Sequence, residues 1–406
     1  MKTLIELFDY CQLNNVAGVL KYRPERVVYV GFKRIMTKKR KRDIETFITA
    51  NNMKVRIEYV RLPEYDLDCI VDILSDIVEN NKECCIDALG GRELVLIAMG
   101  IVAGKYHIPL IQTNIMTGKM IKFRNADTLE DNFDNSDIAL TVADLVKLNG
   151  GAVIKSEDQG WDFNEQFIDE VRRMWKVCSN NALLWNRQCN MFGVMDSNGT
   201  CDENGVYSVS LTEIKRRGYD IMHEREIIDG LCDEGLIRNF CIYGDYINYS
   251  YKNRHIRKCL LKAGNLLEMY VYITARDINK RYNGIYSDIR SGVTLDWDGV
   301  IHEDMKDYVE TRNEVDIFIM KGMRPVLISC KNGSVNKEAL YELDTVASRY
   351  GGDYSKKILV TSYIATSQKQ SRYILARAAD MGIRVISGVD SMSHDEFIEA
   401  LYKVTR

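Results

Sequence analysis

From Arg26 to about Thr113, short apolar runs alternate with amphipathic stretches. RVVYVG, VRIEYV, ECCID and IPLIQT read as strands, while Cys69 to Asn80 and Arg92 to Lys105 place apolar residues at helical spacing. Strands that alternate with helices run parallel and are joined by crossovers, so this part is expected to be a Rossmann-like open α/β sheet. The alternation stops at Asn149-Gly150-Gly151, and Trp161 to Asn186 reads as helix. Residues 205 to 250 predict a helix, a second helix ending at Gly235 and a two-stranded wing, a winged-helix-like segment in which Lys215-Arg216-Arg217 either faces phosphates or forms a solvated helix end. Beyond it, KAGNLLEMYVYI predicts a helix, GVTLDWDG a strand, NEVDIFIMKGMRPVLISCKNG a strand pair around a turn, ALYELDTVASRYGG a helix and KKILVTSY a strand. The expected division is 1–150, 151–255 and 256–406, with both end domains α/β.

Composition narrows the function only slightly. The chain has 406 residues, 46% of them apolar and 28% charged, which suits two or three folded domains. A net charge of -3 excludes a generally basic nucleic-acid coat and leaves phosphate recognition to a local patch or a metal site. The eleven cysteines are odd in number and contain no C-x-x-C pair, so reduced thiols in a cytoplasmic protein are expected. MKTLIELFDYCQLNNV lacks the basic-then-apolar order of a signal peptide, and no apolar run reaches membrane-spanning length, so no membrane partner is expected. The five histidines, His107, His223, His255, His302 and His394, show no ligand spacing.

Two strand ends in the first domain carry ligand-site chemistry. RVVYVG ends at Gly31 and continues Phe32-Lys33; ECCID ends at Asp87 and continues through Gly90-Gly91-Arg92 into a helix. Ligands of open α/β sheets sit beyond the carboxyl ends of the strands, where a glycine turn exposes N–H groups to phosphate. A tight strand-to-helix turn explains the same glycines, and the absence of G-x-G-x-x-G argues against a dinucleotide.

In the last domain, strict alternation puts Glu314 and Asp316 on one face of a strand and Val315, Ile317 and Ile319 on the other. On the returning strand Ser329 and Lys331 share a face opposite Ile328 and Cys330, and the turn brings Asp316 beside Ser329 and Lys331. Carboxylates and a lysine at adjoining strand ends can hold a hard divalent cation and stabilise charge on a phosphodiester. A solvated face with a cross-strand Asp–Lys pair fits the same residues.

The order helix with Glu268, strand, strand with Asp316, strand with Lys331, helix, strand resembles the PD-(D/E)xK restriction-endonuclease-like fold. AGNLLE, NEVD, ISCKNG and ELDTVASRYGG together look like the nuclease domain of CRISPR-associated effectors that carry an N-terminal CARF sensor domain, over residues 256–390. The GF after RVVYVG and the DALGGRE after ECCID are similar to CARF domains. The resemblance implies a homodimeric nuclease of type III CRISPR defence, activated by a cyclic oligoadenylate, taken as cyclic tetra-adenylate, and cleaving DNA or RNA with Mg2+ or Mn2+. It further implies Asp316, the Cys330 carbonyl and Glu268 as metal ligands, Lys331 as the group orienting water or stabilising charge, and Gly31, Phe32, Lys33, Asp87, Gly90, Gly91 and Arg92 as the sensing residues. Ser329 departs from the pattern, which has Glu or Asp there: either Glu314 and Glu268 compensate, or the metal is held weakly, or the site is impaired. The alternative is a ligand-sensing winged-helix regulator whose last domain is only structural.

Overall fold

The structure is a computed structural model that describes all residues except 82, 125–126, 133–137, 162, 180–181, 223–224, 300–311, 334 and 363–368. His223 and His302 therefore lie outside the described residues. The N-terminal sheet contains β1 (Thr3–Leu7), β2 (Arg26–Gly31), β3 (Arg56–Arg61), β4 (Cys84–Asp87), β5 (Leu110–Asn114), β6 (Lys119–Arg124) and β7 (Asp127–Asn132). Its order is β3-β2-β1-β4-β5-β6-β7, parallel from β3 to β5 and antiparallel beyond. Helices α1 (Asn14–Tyr22), α2 (Lys38–Ala50), α3 (Leu67–Glu79), α4 (Glu93–Tyr106) and α5 (Val142–Leu148) cover it. RVVYVG is thus the second strand rather than the first. TLIEL, wholly buried as β1, sits at the centre, and its end faces the crevice where the strand order reverses between β1 and β4.

The chain then contributes β8 (Ala152–Ser156), which leaves the segment it opens and pairs antiparallel with β13 of the last domain. Next come α6 (Glu165–Ser179), α7 (Ala182–Asn198), β9 (Thr200–Cys201), β10 (Tyr207–Ser210), α8 (Leu211–Arg216), α9 (Arg225–Asp233), β11 (Ile237–Tyr243), β12 (Tyr246–Tyr251) and α10 (Arg254–Leu261). The two helices and the β11–β12 hairpin form the expected wing arrangement, with β10 and β9 added to the wing.

The last domain holds α11 (Ala263–Arg281), β13 (Asp288–Asp296), β14 (Arg312–Lys321), β15 (Arg324–Lys331), α12 (Lys337–Gly351), β16 (Lys356–Thr361), α13 (Lys369–Asp380), β17 (Ile383–Ser387) and α14 (His394–Thr405). Its sheet runs β17-β16-β15-β14-β13-β8. One face, with Ile317, Ile319, Val326 and Ile328, packs on α11, α14 and the middle segment. The other, with Phe318, Met320, Leu327 and Leu359, shares a core with Leu4, Tyr29 and Phe47 of the N-terminal domain and with α5. The domains are also bonded directly: Asn149 Nδ2 donates to the Tyr350 carbonyl at 3.0 Å, and Ser287 Oγ to the Leu140 carbonyl at 2.7 Å. A shared apolar core and half-buried polar links resist hinge motion about Gly150-Gly151. No helix of the described residues is long and apolar enough to cross a membrane, and all eleven cysteines are free thiols.

Candidate active site and ligand crevice

The hairpin ladder explains the site's geometry. Paired residues run from Lys321↔Arg324 to Ile317↔Ile328, where the β14–β15 register ends. At the next position Asp316 Oδ2 accepts the Cys330 N–H at 2.6 Å, so a side chain takes over a donor at the point where the ladder stops. Val315 joins the core of Phe318 rather than that of Ile317 and Ile319, so strict alternation is broken around Asp316. The same Oδ2 accepts the Ser329 hydroxyl at 3.3 Å and faces Lys331 Nζ at 3.7 Å. Asp316, Ser329 and Lys331 therefore meet as expected.

Glu268 enters from α11 over Gly264, where an added Cβ would lie 3.2 Å from its Oε1. Together these groups line a cleft of about 480 Å3 with Glu314, Asn186, Lys262 and Glu342. Burial first, and then the charge of Asp316, push the Glu268 carboxyl up to about 7. Among the described residues no three His, Cys, Asp or Glu side chains converge as a metal cage. The described histidines lie elsewhere: His394, for example, is 3.0 Å from Asp277.

Asn186 had no sequence signal. It lies on α7 of the middle segment, donates to the Asn332 carbonyl at 2.8 Å and accepts from Asn332 Nδ2 at 2.9 Å. The turn after Lys331 is thus fastened to a helix some 145 positions upstream, a pairing invisible to local pattern. In the wing segment Arg216 and Arg217 both pair with Glu213, at 2.8 and 2.9 Å, so two of the three cations share one carboxylate on their own helix and the triplet keeps a net positive charge.

The N-terminal crevice is only partly as expected. Gly91 is exposed and Gly90 and Arg92 are half-buried, at the end of β4 and the start of α4; Lys33 is exposed beyond β2. Phe32 is buried beneath the Arg92 guanidinium, 5.6 Å from its ring centroid, and Gly31 is packed against Phe8. Asp87 is fully buried and faces Gly18 and Glu6 on the helix α1 side, not the crevice. Alternation along β4 turns it inward, where burial raises it to about 7; burial and the charge of Asp87 raise Glu6, its partner across β1. The residue that the strand reading missed is Asp9, beyond β1, whose Oδ2 accepts the Gly91 N–H at 2.7 Å. A cavity of about 600 Å3 lies alongside, lined by Gly90, Thr113, Asn114, Lys119 and, from the last domain, Tyr354. Tyr354 donates its hydroxyl to Asn14 Oδ1 at 2.8 Å, and an added Cβ at Gly90 would lie 2.6 Å from the Nδ2 of that asparagine.

A doubly wound sheet with a crevice at its switch point is packed onto a second sheet with an acid–serine–lysine cleft, which defines a multidomain α/β protein. Residues 255–400 match the family model described as the Card1-like endonuclease domain. Over its whole length the fold is similar to protein VC1899 from Vibrio cholerae, with 16% identity, 99% and 98% of the two chains covered and a TM-score of 0.75. It is also similar to Can2 from Sulfobacillus thermosulfidooxidans in complex with cyclic tetra-adenylate, with 17% identity, 98% and 99% covered and a TM-score of 0.70. No curated protein matches the sequence.

Two outcomes follow from this geometry. Glu268 binds its proton more tightly in the folded chain than at its ordinary value of 4.5, so its stabilising contribution is complete below that pH and is lost as pH rises through about 7. Glu268→Gln is neutral throughout; in calorimetry without metal its Tm should exceed that of the parent by roughly 2–4 °C at alkaline pH, the shift of about 1 kcal/mol in a domain of this size, and should match it at acid pH. An equal offset at both pH values would remove electrostatics as the cause. Gly91 has φ +87, and an added Cβ would lie 1.7 Å from Leu7 Cδ2. Gly91→Ala should cost about 1–3 kcal/mol in denaturant unfolding.

Proposed function

We propose that this chain is a metal-dependent nuclease of type III CRISPR defence, activated by cyclic tetra-adenylate and working as a homodimer in the cytoplasm. The observation that carries the reading is the convergence of Glu268, Asp316, Ser329 and Lys331 in one cleft within the Card1-like endonuclease domain. The activator is supported by the crevice at Gly90–Arg92 and by the similarity of the fold to Can2, whose structure contains that ring.

The donor set fits a hard divalent cation, Mg2+ or Mn2+. Burial and then the neighbouring Asp316 charge raise the proton affinity of Glu268 in this half-buried cleft, a repulsion that a cation relieves. Glu268, Asp316 and the Cys330 carbonyl would hold it; Glu314 is exposed at the rim. The cation supplies Lewis-acid polarisation of the phosphoryl oxygen and a more acidic water. Ser329 fixes the Asp316 rotamer through its hydroxyl, and Lys331 places positive charge beside the position of the scissile phosphate. With a neutral serine in place of a third carboxylate, metal is held weakly and reaches saturation at high concentration.

Dimerisation is supported by the outer face of α4. Ile97 and Ile101 are 52% and 45% exposed, with Gly100 and Gly104 on the same helical face. A second copy on that face would set two glycine loops around one symmetric ring.

Single-stranded DNA, supercoiled plasmid and single-stranded RNA, each with Mn2+ and with or without cyclic tetra-adenylate, test the reading. Cleavage is expected to require the ring and to fall by at least about 10³-fold in Asp316→Ala, the scale of losing a group that stabilises charge. Unchanged cleavage by Asp316→Ala would refute it. Tyr354→Phe removes the hydroxyl that reaches Asn14 beside Gly90. It should leave ring affinity within about threefold and lower the ring-stimulated rate several-fold, a coupling of about 1 kcal/mol. An unchanged rate would remove this contact from activation.

A further inference from the structure

Lys33 apart, the most concentrated charge in the chain lies outside both sites. Between Lys33 and Arg42 lie seven cations and no acid: Lys33, Arg34, Lys38, Lys39, Arg40, Lys41 and Arg42. Arg34 pairs with Glu64 at 3.3 Å. The other five on the first turns of α2 make no ion pair within 4.0 Å with a described carboxylate. Arg40 lies instead over the Tyr10 ring, 3.7 Å from its centroid, and Lys41 over Tyr59 at 4.3 Å. Lys38, Lys39 and Arg42 are exposed. This arrangement opposes helix stability twice. Cations occupy the positive end of the helix dipole, and Lys38 and Arg42 are like charges at i and i+4. A run that breaks both rules, with three exposed cations and no ion pair within 4.0 Å to a described carboxylate, fits an external polyanion.

The position of the run indicates which polyanion. A groove of about 240 Å3 joins Thr37, Lys39, Arg40 and Asp43 to Ser348, Arg349 and Tyr350 of α12. Asp43, the first acid after the run, feels the charges of Lys39, Arg42, Arg349 and Arg40 together. Glu342, Leu343 and Val346, earlier on the same helix α12, line the nuclease cleft, so one helical turn of about 5 Å separates Val346 from Arg349. The buried residues of α2 belong to the core shared with the last domain, whereas Gly91–Arg92 lead into α4 on the opposite face of the N-terminal sheet.

We propose that Lys38 to Arg42, with Arg349, form the surface on which the phosphate backbone of the nucleic-acid substrate lies as it enters the cleft. The inference rests on the nuclease reading above.

The test uses the full chain with Lys38, Lys39 and Arg42 each changed to Glu, in an Asp316→Ala background that binds without cutting. Affinity for a labelled single-stranded DNA is measured over a salt series with cyclic tetra-adenylate present. Ring affinity and Tm are measured in parallel. Affinity for DNA should fall at least about tenfold, and the log–log salt slope should flatten by about 2, close to three phosphate contacts at ~0.7 each, with ring affinity unchanged and Tm unchanged or raised, since Glu suits the first turns of a helix. Unchanged DNA affinity would overturn the proposal, and so would a matching loss of ring affinity, which assigns the run to the activator. With Asp316 intact, normal cleavage of long DNA by the triple variant sinks the surface and leaves the nuclease reading. DNA binding that depends on the run, without cleavage by the parent protein, sinks the nuclease reading and leaves the surface.

Discussion

The Asp316 carboxylate takes the Cys330 N–H at the point where the β14–β15 ladder ends, and much of the last domain is arranged around that bond. A strand pair that parts inside a core would strand its amides, a cost of about 1–3 kcal/mol for each donor left without a partner. Here one carboxylate oxygen meets the amide, a hydroxyl and an ammonium at once. The opening between the strands becomes the floor of the cleft. The neighbouring layers then complete it: α11 brings Glu268, α12 brings Glu342 and α7 brings Asn186.

The two carboxylates that face each other there are a stability cost in the metal-free chain. Glu268 loses hydration and gains a like-charged neighbour, and its affinity for a proton rises accordingly. A group that binds a proton too tightly is also one whose charge a cation can stabilise. In the proposed reading, the site's instability and its cation chemistry have one cause. Ser329 moderates it, since a third carboxylate at that position would add to the repulsion on Asp316.

The N-terminal domain is packed directly against the domain that carries this site. Its sheet shares a core with the nuclease sheet, and Tyr354 reaches back from the last domain to Asn14 beside Gly90. Asp9 holds the glycine loop, and Gln12, three residues on, donates to the Arg40 carbonyl of α2 at 3.3 Å. One short loop thereby touches the crevice, the basic helix and the domain boundary.

Local pattern determined the four strands from RVVYVG to IPLIQT with two of their helices, the run of elements from KAGNLLEMYVYI to KKILVTSY, the wing, and the meeting of Asp316, Ser329 and Lys331, because each depends on period and on neighbours a few residues apart. Glu268 was legible only through a resemblance, since nothing in the helix around it specifies which strand it faces. Tertiary structure decided the rest. It put TLIEL at the centre of the first sheet, although the glutamate within it weakens the apolar signal, and turned Asp87 inward against that glutamate. It moved β8 into the far sheet and brought Asn186 to the cleft. These pairings join residues dozens to hundreds of positions apart. They are selected by burying shared apolar surface and satisfying buried polar groups, neither of which leaves a periodic trace in the chain.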